Sequence, residues 1–330
     1  MTRTMTSKEK KIHTEGLAVM EKSDGKIMYF VGVSTQQSII NNIFPKWMEV
    51  LGFKVQLQGI DVPLNASANI YRECARKIKE SPDVLGALVT THKIAMYSYA
   101  NDIFDALSDS AREFKEIGAI YKRNDMMTGE ATDIISVNNA FKNIFEKVNN
   151  KDSEICILGC GGAGIALGYA ILKFYNTNFN KVIMTDINLN RLEQARKTLL
   201  AYDNEGKLQL IHVKNIQDND IIINSLSSDS FVVNATGVGK DVQGSPISNT
   251  VQFPYGSCVW EYNYRGSLEY MKIAEAQALE KHLSVYDGFE YFIYGWTTVI
   301  SRVLNIEIAK NTFDILANIA FNSMRSIKCN

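Results

Sequence analysis

Hydrophobic positions along the chain fall into two spacings that alternate. Residues 26–34, KIMYFVGVS, are apolar nearly throughout, as in a buried strand, and the run from Gln37 to Leu51 has helical apolar spacing. KVQLQGIDV (54–62) predicts a second strand, 65–81 a helix capped by Asn65 or Ser67, and VLGALVT (84–90) a third strand. Strands alternating with helices imply a parallel sheet. Residues 93–114 are expected to be helical, GAIYKRND and MTGEATD to be strand-and-turn elements, and 136–154 to form a helix ending in a polar hinge, with a domain boundary near Asn149–Ser153. Beyond it, 154–175 reads as strand, glycine turn and helix, and strands follow at 181–188, 208–213 and 231–239. Four such strands with helices between them make a nucleotide-binding half-fold. From Asp287 to Asn330 the chain is expected to be helical, with part of it packing back on the first half.

A length of 330 residues fits two domains. With 46% hydrophobic and 22% charged residues and five prolines, the chain has the composition of a folded protein. Lys+Arg 35 against Asp+Glu 36 leaves a charge of −1, so no global field draws it to nucleic acid or an anionic bilayer. The five cysteines form no CxxC pair and fit a reduced cytoplasm. The polar N-terminus lacks a signal-peptide core, and no apolar run is long enough to span a membrane. The four histidines lack HExxH spacing, so no metal site is expected.

Candidate chemistry begins with Gly159-Cys160-Gly161-Gly162-Ala163-Gly164, a GxGxxG between a predicted strand and a predicted helix. Its first glycine allows the tight turn, its second lets backbone approach a pyrophosphate, and the helix N-terminus offers free N–H groups. Without a ligand the same residues are only a glycine-rich turn. Asp186 ends the next predicted strand 22 residues past Gly164. That is where an acid binds the adenosine ribose and repels a 2′-phosphate, which predicts NAD in preference to NADP. Ile187 beside it supplies no cation, although Arg191 is near enough to reach a phosphate. Alternatively, Asp186 caps the turn or the next helix.

With the cofactor half second, a substrate should lie against the first half, where Leu88-Val89-Thr90-Thr91-His92-Lys93 joins a strand end to a helix start and Gly129-Glu130-Ala131-Thr132-Asp133 precedes the linker helix. Here the sequence resembles the shikimate/quinate dehydrogenase family, whose NVTxPxK segment bears a catalytic lysine and whose GxNTD segment bears its aspartate partner. LVTTHK keeps Thr90 and Lys93 with one position missing, and GEATD keeps Thr132 and Asp133. GCGGAG is similar to the family's GAGGA loop, Asn234-Ala235-Thr236 to its NAT turn beside the nicotinamide, Glu261-Tyr262-Asn263-Tyr264 to its DxxY segment at the substrate pocket, and Asp287-Gly288 to the DG before the closing helix.

The resemblance implies an α/β substrate-binding catalytic domain (26–150) after a polar extension (1–25), a doubly wound Rossmann-type domain (151–290), and C-terminal helices (291–330) returning to the first domain. It also implies hydride transfer between NAD(H) and a secondary alcohol or ketone of a cyclic hydroxy acid, with Lys93 and Asp133 handling the proton. Ser38, Thr90, Tyr121, Thr132 and Tyr264 would bind substrate. Gly159, Gly161, Gly162, Ala163, Gly164, Asp186, Asn234, Ala235 and Thr236 would bind the cofactor. The implied assembly is cytoplasmic, with a homodimer as one form open to it.

Departures from the family concern the substrate. Its HSxSP segment reads Gln37-Ser38-Ile39-Ile40-Asn41 here, Tyr121 and Ala131 stand for asparagines, and Gly295 falls on or beside a glutamine. Each lost polar partner costs about 1–3 kcal/mol against a ring hydroxyl, which argues against shikimate itself. As a base near neutrality Lys93 needs a pKa lowered by burial, and the charge of Asp133 opposes that. His92 is expected at the surface or in a cap, and the run Tyr291–Trp296 in helix core. Two other readings remain open: a catalytically idle nucleotide-binding sensor or partner module, which retention of Lys93 with Asp133 opposes, and a methylene-tetrahydrofolate dehydrogenase-like enzyme, which requires a folate-sized pocket.

Overall fold

A computed structural model describes residues 25–148, 152–240 and 242–328. The expected N-terminal extension and the hinge residues Asn149 to Lys151 lie outside the described residues, apart from Gly25. The first half contains β1 (Lys26–Gly32), α1 (Ile40–Leu51), β2 (Val55–Asp61), α2 (Ala68–Glu80), β3 (Val84–Val89), α3 (Lys93–Ala100), β4 (Ala106–Leu107), α4 (Asp109–Phe114), β5 (Ala119–Arg123), β6 (Met126–Glu130) and α5 (Asp133–Val148). Its sheet has the order β2-β1-β3-β5-β6-β4.

The sheet is mixed, which corrects the expectation of parallel strands: β1, β2 and β3 run parallel, whereas β5 is antiparallel to both β3 and β6. The cause is local. Only Asn124 and Asp125 join β5 to β6, both with positive φ (48° and 62°), and so short a turn can connect only antiparallel neighbours. The helix expected over 93–114 is also broken. Asp105 accepts the Met127 N–H at 2.8 Å, β4 pairs with β6, and Ser108 caps a separate α4 by accepting the Ala111 N–H at 3.0 Å.

The second half contains β7 (Ser153–Leu158), α6 (Gly162–Phe174), β8 (Phe179–Asp186), α7 (Leu189–Leu199), β9 (Leu208–His212), α8 (Ile216–Asn224), β10 (Phe231–Asn234), β11 (Cys258–Glu261), α9 (Glu269–Lys281), β12 (Ser284–Tyr286), α10 (Phe289–Leu304) and α11 (Lys310–Lys328). All six strands are parallel in the order β12-β11-β10-β7-β8-β9. This is the doubly wound Rossmann order, two strands larger than the sequence pattern indicated. β7 (SEICIL) is buried at every position, as a central parallel strand must be.

Three helices tie the halves together. Phe141 of α5 packs among Phe179, Phe231 and Trp260 of the second sheet. α10 lies over β3 and β5, and α11 lies on α1, where the Trp47 indole N–H donates to the Leu316 carbonyl at 2.8 Å. The C-terminal helices therefore do return to the first half. Glu130 at the end of β6 clamps α10 by accepting the Arg302 Nε–H at 2.9 and 3.1 Å. Glu130→Ala is expected to destabilise the chain by about 1 kcal/mol, measured as a lowered midpoint in urea unfolding, because a charge-assisted bond between a buried carboxylate and a partly exposed guanidinium is lost. No helix among the described residues is long and apolar enough to cross a membrane.

Candidate active site

Strand ends of both sheets face each other across a cleft of about 380 Å³. Its lining comes from the residues just after β1, β3, β7, β10 and β11, where parallel sheets place ligands, and from one face of α10. Lys93 begins α3 and Asp133 begins α5, and their side chains form an ion pair within the cleft, 19% and 7% exposed. The Tyr291 hydroxyl on α10 is also hydrogen-bonded to Asp133. Asp133 suits the N-terminus of its helix; Lys93 does not suit its own, so Asp133 supplies the compensation.

Glu116, which the sequence did not single out, is the third ionisable member of this group. It precedes Ile117, whose N–H donates to the Lys93 carbonyl at 3.1 Å, and its buried side chain lines the cleft. Burial pushes the Glu116 carboxyl up to about 8, the Asp133 charge adds to the rise, and Lys93 opposes it. Burial alone would lower the pKa of Lys93. The charges of Asp133 and Glu116 and the hydrogen bond to Asp133 together outweigh it, so the ammonium is held above its ordinary value. The lysine is therefore charged at neutral pH, contrary to the lowered pKa that a basic role requires.

Across the cleft, the glycine loop leaves β7 and enters α6. Gly159 has φ +103°, and a β-carbon there would meet the Ala235 carbonyl group and Thr236 Cα at 3.0 Å. One at Gly164 would run into the Gly159 carbonyl oxygen, and one at Gly162 into Glu116 Oε2, whereas one at Gly161 would meet no protein atom within 4 Å. Gly161, Gly162 and Ala163 line the cleft together with Ala235 and Thr236. Asn234 lies buried behind them: its amide donates to Glu261 at 2.7 Å and its carbonyl oxygen accepts the Thr236 N–H at 3.1 Å, so it shapes the turn. Asp186 accepts the N–H groups of Cys160 and Asn188, each at 2.8 Å, with Arg191 at 3.8 Å, which fixes the loop against the end of β8.

Ser38, Thr90, Thr132 and Tyr264 all line the cleft. Tyr121 does not. Its side chain packs toward α10, hydrogen-bonded to Glu130 and stacked under the Arg123 guanidinium at 5.2 Å, because β5 turns that face away from the opening. Ser34, which the sequence reading missed, joins Ser38 in the lining, and Tyr291, Phe292, Gly295 and Trp296 line it too, so the aromatic run is only partly core. The Tyr262 hydroxyl is buried without a hydrogen-bond partner. His92 is not at the surface: it is buried, its Nδ1 accepts from the Tyr71 hydroxyl at 2.9 Å and its Nε2 donates to the Val62 carbonyl at 2.8 Å, and burial lowers its pKa.

The fold and this site define a two-lobed α/β chain in which a mixed sheet bearing a lysine–aspartate pair faces the glycine loop of a Rossmann-like sheet. In sequence the chain is similar to shikimate dehydrogenases, and in structure to shikimate and quinate dehydrogenases. The shikimate dehydrogenase (NADP(+)) of Streptococcus gordonii is 29% identical over 180 residues, covering 53% of this chain and 59% of that protein. The chain thus spans less than two thirds of the length of the first curated relatives it matches. Shikimate dehydrogenase 1 of Peptoclostridium difficile superposes with a TM-score of 0.68 at 19% identity, over 90% of this chain and 99% of that one. Quinate dehydrogenase of Corynebacterium glutamicum, in complex with NAD, superposes with a TM-score of 0.68 at 15% identity, over 91% and 100%. No protein-family model matches the chain.

Proposed function

We propose that the chain is an NAD(P)-dependent oxidoreductase that transfers hydride between a nicotinamide dinucleotide and a secondary alcohol or ketone of a cyclic hydroxy acid. The observation that carries this reading is the Lys93–Asp133 ion pair facing the glycine loop across one cleft. The residues present fit a dinucleotide. Gly161 leaves open space where a diphosphate would approach, the first turn of α6 offers N–H groups, and Ala235 and Thr236 form a wall beside the catalytic pair. A bound nicotinamide supplies or accepts the hydride with its electron pair.

In reduction of a ketone, the developing alkoxide oxygen takes its proton from Lys93 Nζ, the group whose charged form the site favours, and Asp133 holds that ammonium toward the oxygen. In oxidation the alcohol's proton passes back to Lys93 after the amine has lost its own. Ser34 and Ser38 supply hydroxyls for a carboxylate at the far end, and Phe292 and Trp296 form an apolar wall against the ring. That wall supports a less hydroxylated ring than shikimate. The preference for NAD over NADP rests on the place of Asp186 at the end of β8, where an acid repels a 2′-phosphate, although its buried carboxylate accepts the Cys160 and Asn188 N–H groups and Arg191 is the side chain that lines the cleft.

The test is NADH and NADPH fluorescence titration, followed by turnover against a panel of cyclic hydroxy and oxo acids. NADH is expected to bind at least about tenfold more tightly than NADPH, and Asp186→Ser is expected to erase that difference. Tighter NADPH binding by the wild type would reject the preference, and no turnover with any cyclic acid would reject the substrate class.

A further inference from the structure

Glu116 is buried, only 2% exposed, and its Oε2 has no hydrogen-bond partner. It reaches out of the first lobe to the opening turn of α6 in the second, where a β-carbon added at Gly162 would run into that same oxygen. Three titratable groups act on it from the elements packed around it, Lys93 on α3, Asp133 at the start of α5 and Tyr291 on α10, and Tyr262, just after β11, lies beside Asp133 in the same cleft. Lys93 is already matched by Asp133, and the two phenols are neutral because burial holds their pKa values well above the usual range. An ionised Glu116 is therefore a surplus negative charge in a closed site, costly unless something compensates it.

Beside Lys93, whose charge opposes the rise but is already shared with Asp133, the compensation within reach is the N-terminal end of α6, worth about half a positive charge. On the dinucleotide reading above, on which this inference rests, the same helix end receives a diphosphate. We propose that Glu116 is a positioning residue of the dinucleotide seat, where it holds a proton that must stay in place for the anionic diphosphate to bind. In its neutral form the carboxyl removes the repulsion and gives the seat an O–H donor. In its ionised form it competes with the ligand for the same N–H groups. The carboxyl, raised to about 8, changes form just above neutrality. Since the raised acid keeps its proton below that pH and loses it above, affinity is complete on the acid side and lost on the alkaline side.

The experiment titrates NADH into full-length wild type, Glu116→Gln and Glu116→Asp from about pH 6 to 9.5, with calorimetry near pH 8.5 in two buffers of different ionisation enthalpy. For the wild type, Kd is expected to be level up to about pH 7.5 and then to rise toward tenfold per pH unit, with net proton uptake on binding. Glu116→Gln is expected to show a level Kd and no proton uptake, binding about tenfold more tightly than wild type near pH 9. Glu116→Asp keeps an ionisable group and is expected to keep a slope, so the proposal stays testable through it if the glutamine variant fails to fold. A level wild-type Kd, or an unchanged slope and proton uptake in Glu116→Gln, overturns the role of Glu116 and leaves the dinucleotide reading intact. Failure of the wild type to bind either NADH or NADPH at any pH overturns both.

Discussion

Replacing Lys93 with methionine is expected to lower turnover by about 10²–10⁴-fold while Kd for NADH changes less than about threefold, because the lost group moves a proton and does not hold the nucleotide. Methionine keeps most of the aliphatic stem and removes the charge. Asp133, only 7% exposed, then loses its cation, and Glu116 loses the positively charged side chain that favours its ionised form. Stability is expected to fall by about 3–5 kcal/mol for that reason, as when one partner of any buried pair is removed. The double variant Lys93→Met/Asp133→Asn separates the two effects. It should regain part of the unfolding free energy and none of the turnover. Turnover of Lys93→Met within tenfold of wild type would show that the proton moves by another route.

Gly161→Val tests the opposite lobe and is expected to weaken NADH binding by about a hundredfold, roughly 2.7 kcal/mol. Gly161 has φ −75° and ψ 179°, an extended conformation that valine adopts readily, and a β-carbon there meets no protein atom within 4 Å. The melting temperature should therefore stay unchanged while the added side chain stands where the diphosphate approaches. Gly164 provides the contrast: a β-carbon there would strike the Gly159 carbonyl oxygen, so Gly164→Ala should cost stability as well as affinity. Unaltered NADH affinity in Gly161→Val would mean that nothing binds against the loop.

What the sequence disclosed and what it concealed follow from how local each signal is. The glycine loop, the lysine at a helix start and the aspartate before the linker helix are all set by short-range pattern, and the structure brings them to one cleft. The antiparallel turn at Asn124 and Asp125 was also present in the sequence, as two adjacent residues tolerant of positive φ between apolar runs. β11 and β12 were missed because each is only three or four residues long and follows a polar stretch or a helix with no clear periodicity. Nothing near Glu116 in the sequence marks it, since an acid between Lys115 and Ile117 looks like any solvated residue. It becomes unusual only when the second lobe closes over it. Tyr121 misled for the reverse reason: its place in the sequence matched a functional position, but the face of β5 it occupies points into packing.

Gly288 passes close against the Tyr262 carbonyl at the rim of the second sheet, and α10 then runs on across β3 and β5 of the first. Those strands were made about 200 residues earlier in the chain. On that side of the early sheet α1 supplies only part of the cover, and the rest is missing until Phe289, Trp296 and Val303 have been translated. Folding of the first lobe is thereby tied to contacts of very high sequence separation, which makes it slow and prone to aggregation while synthesis is in progress.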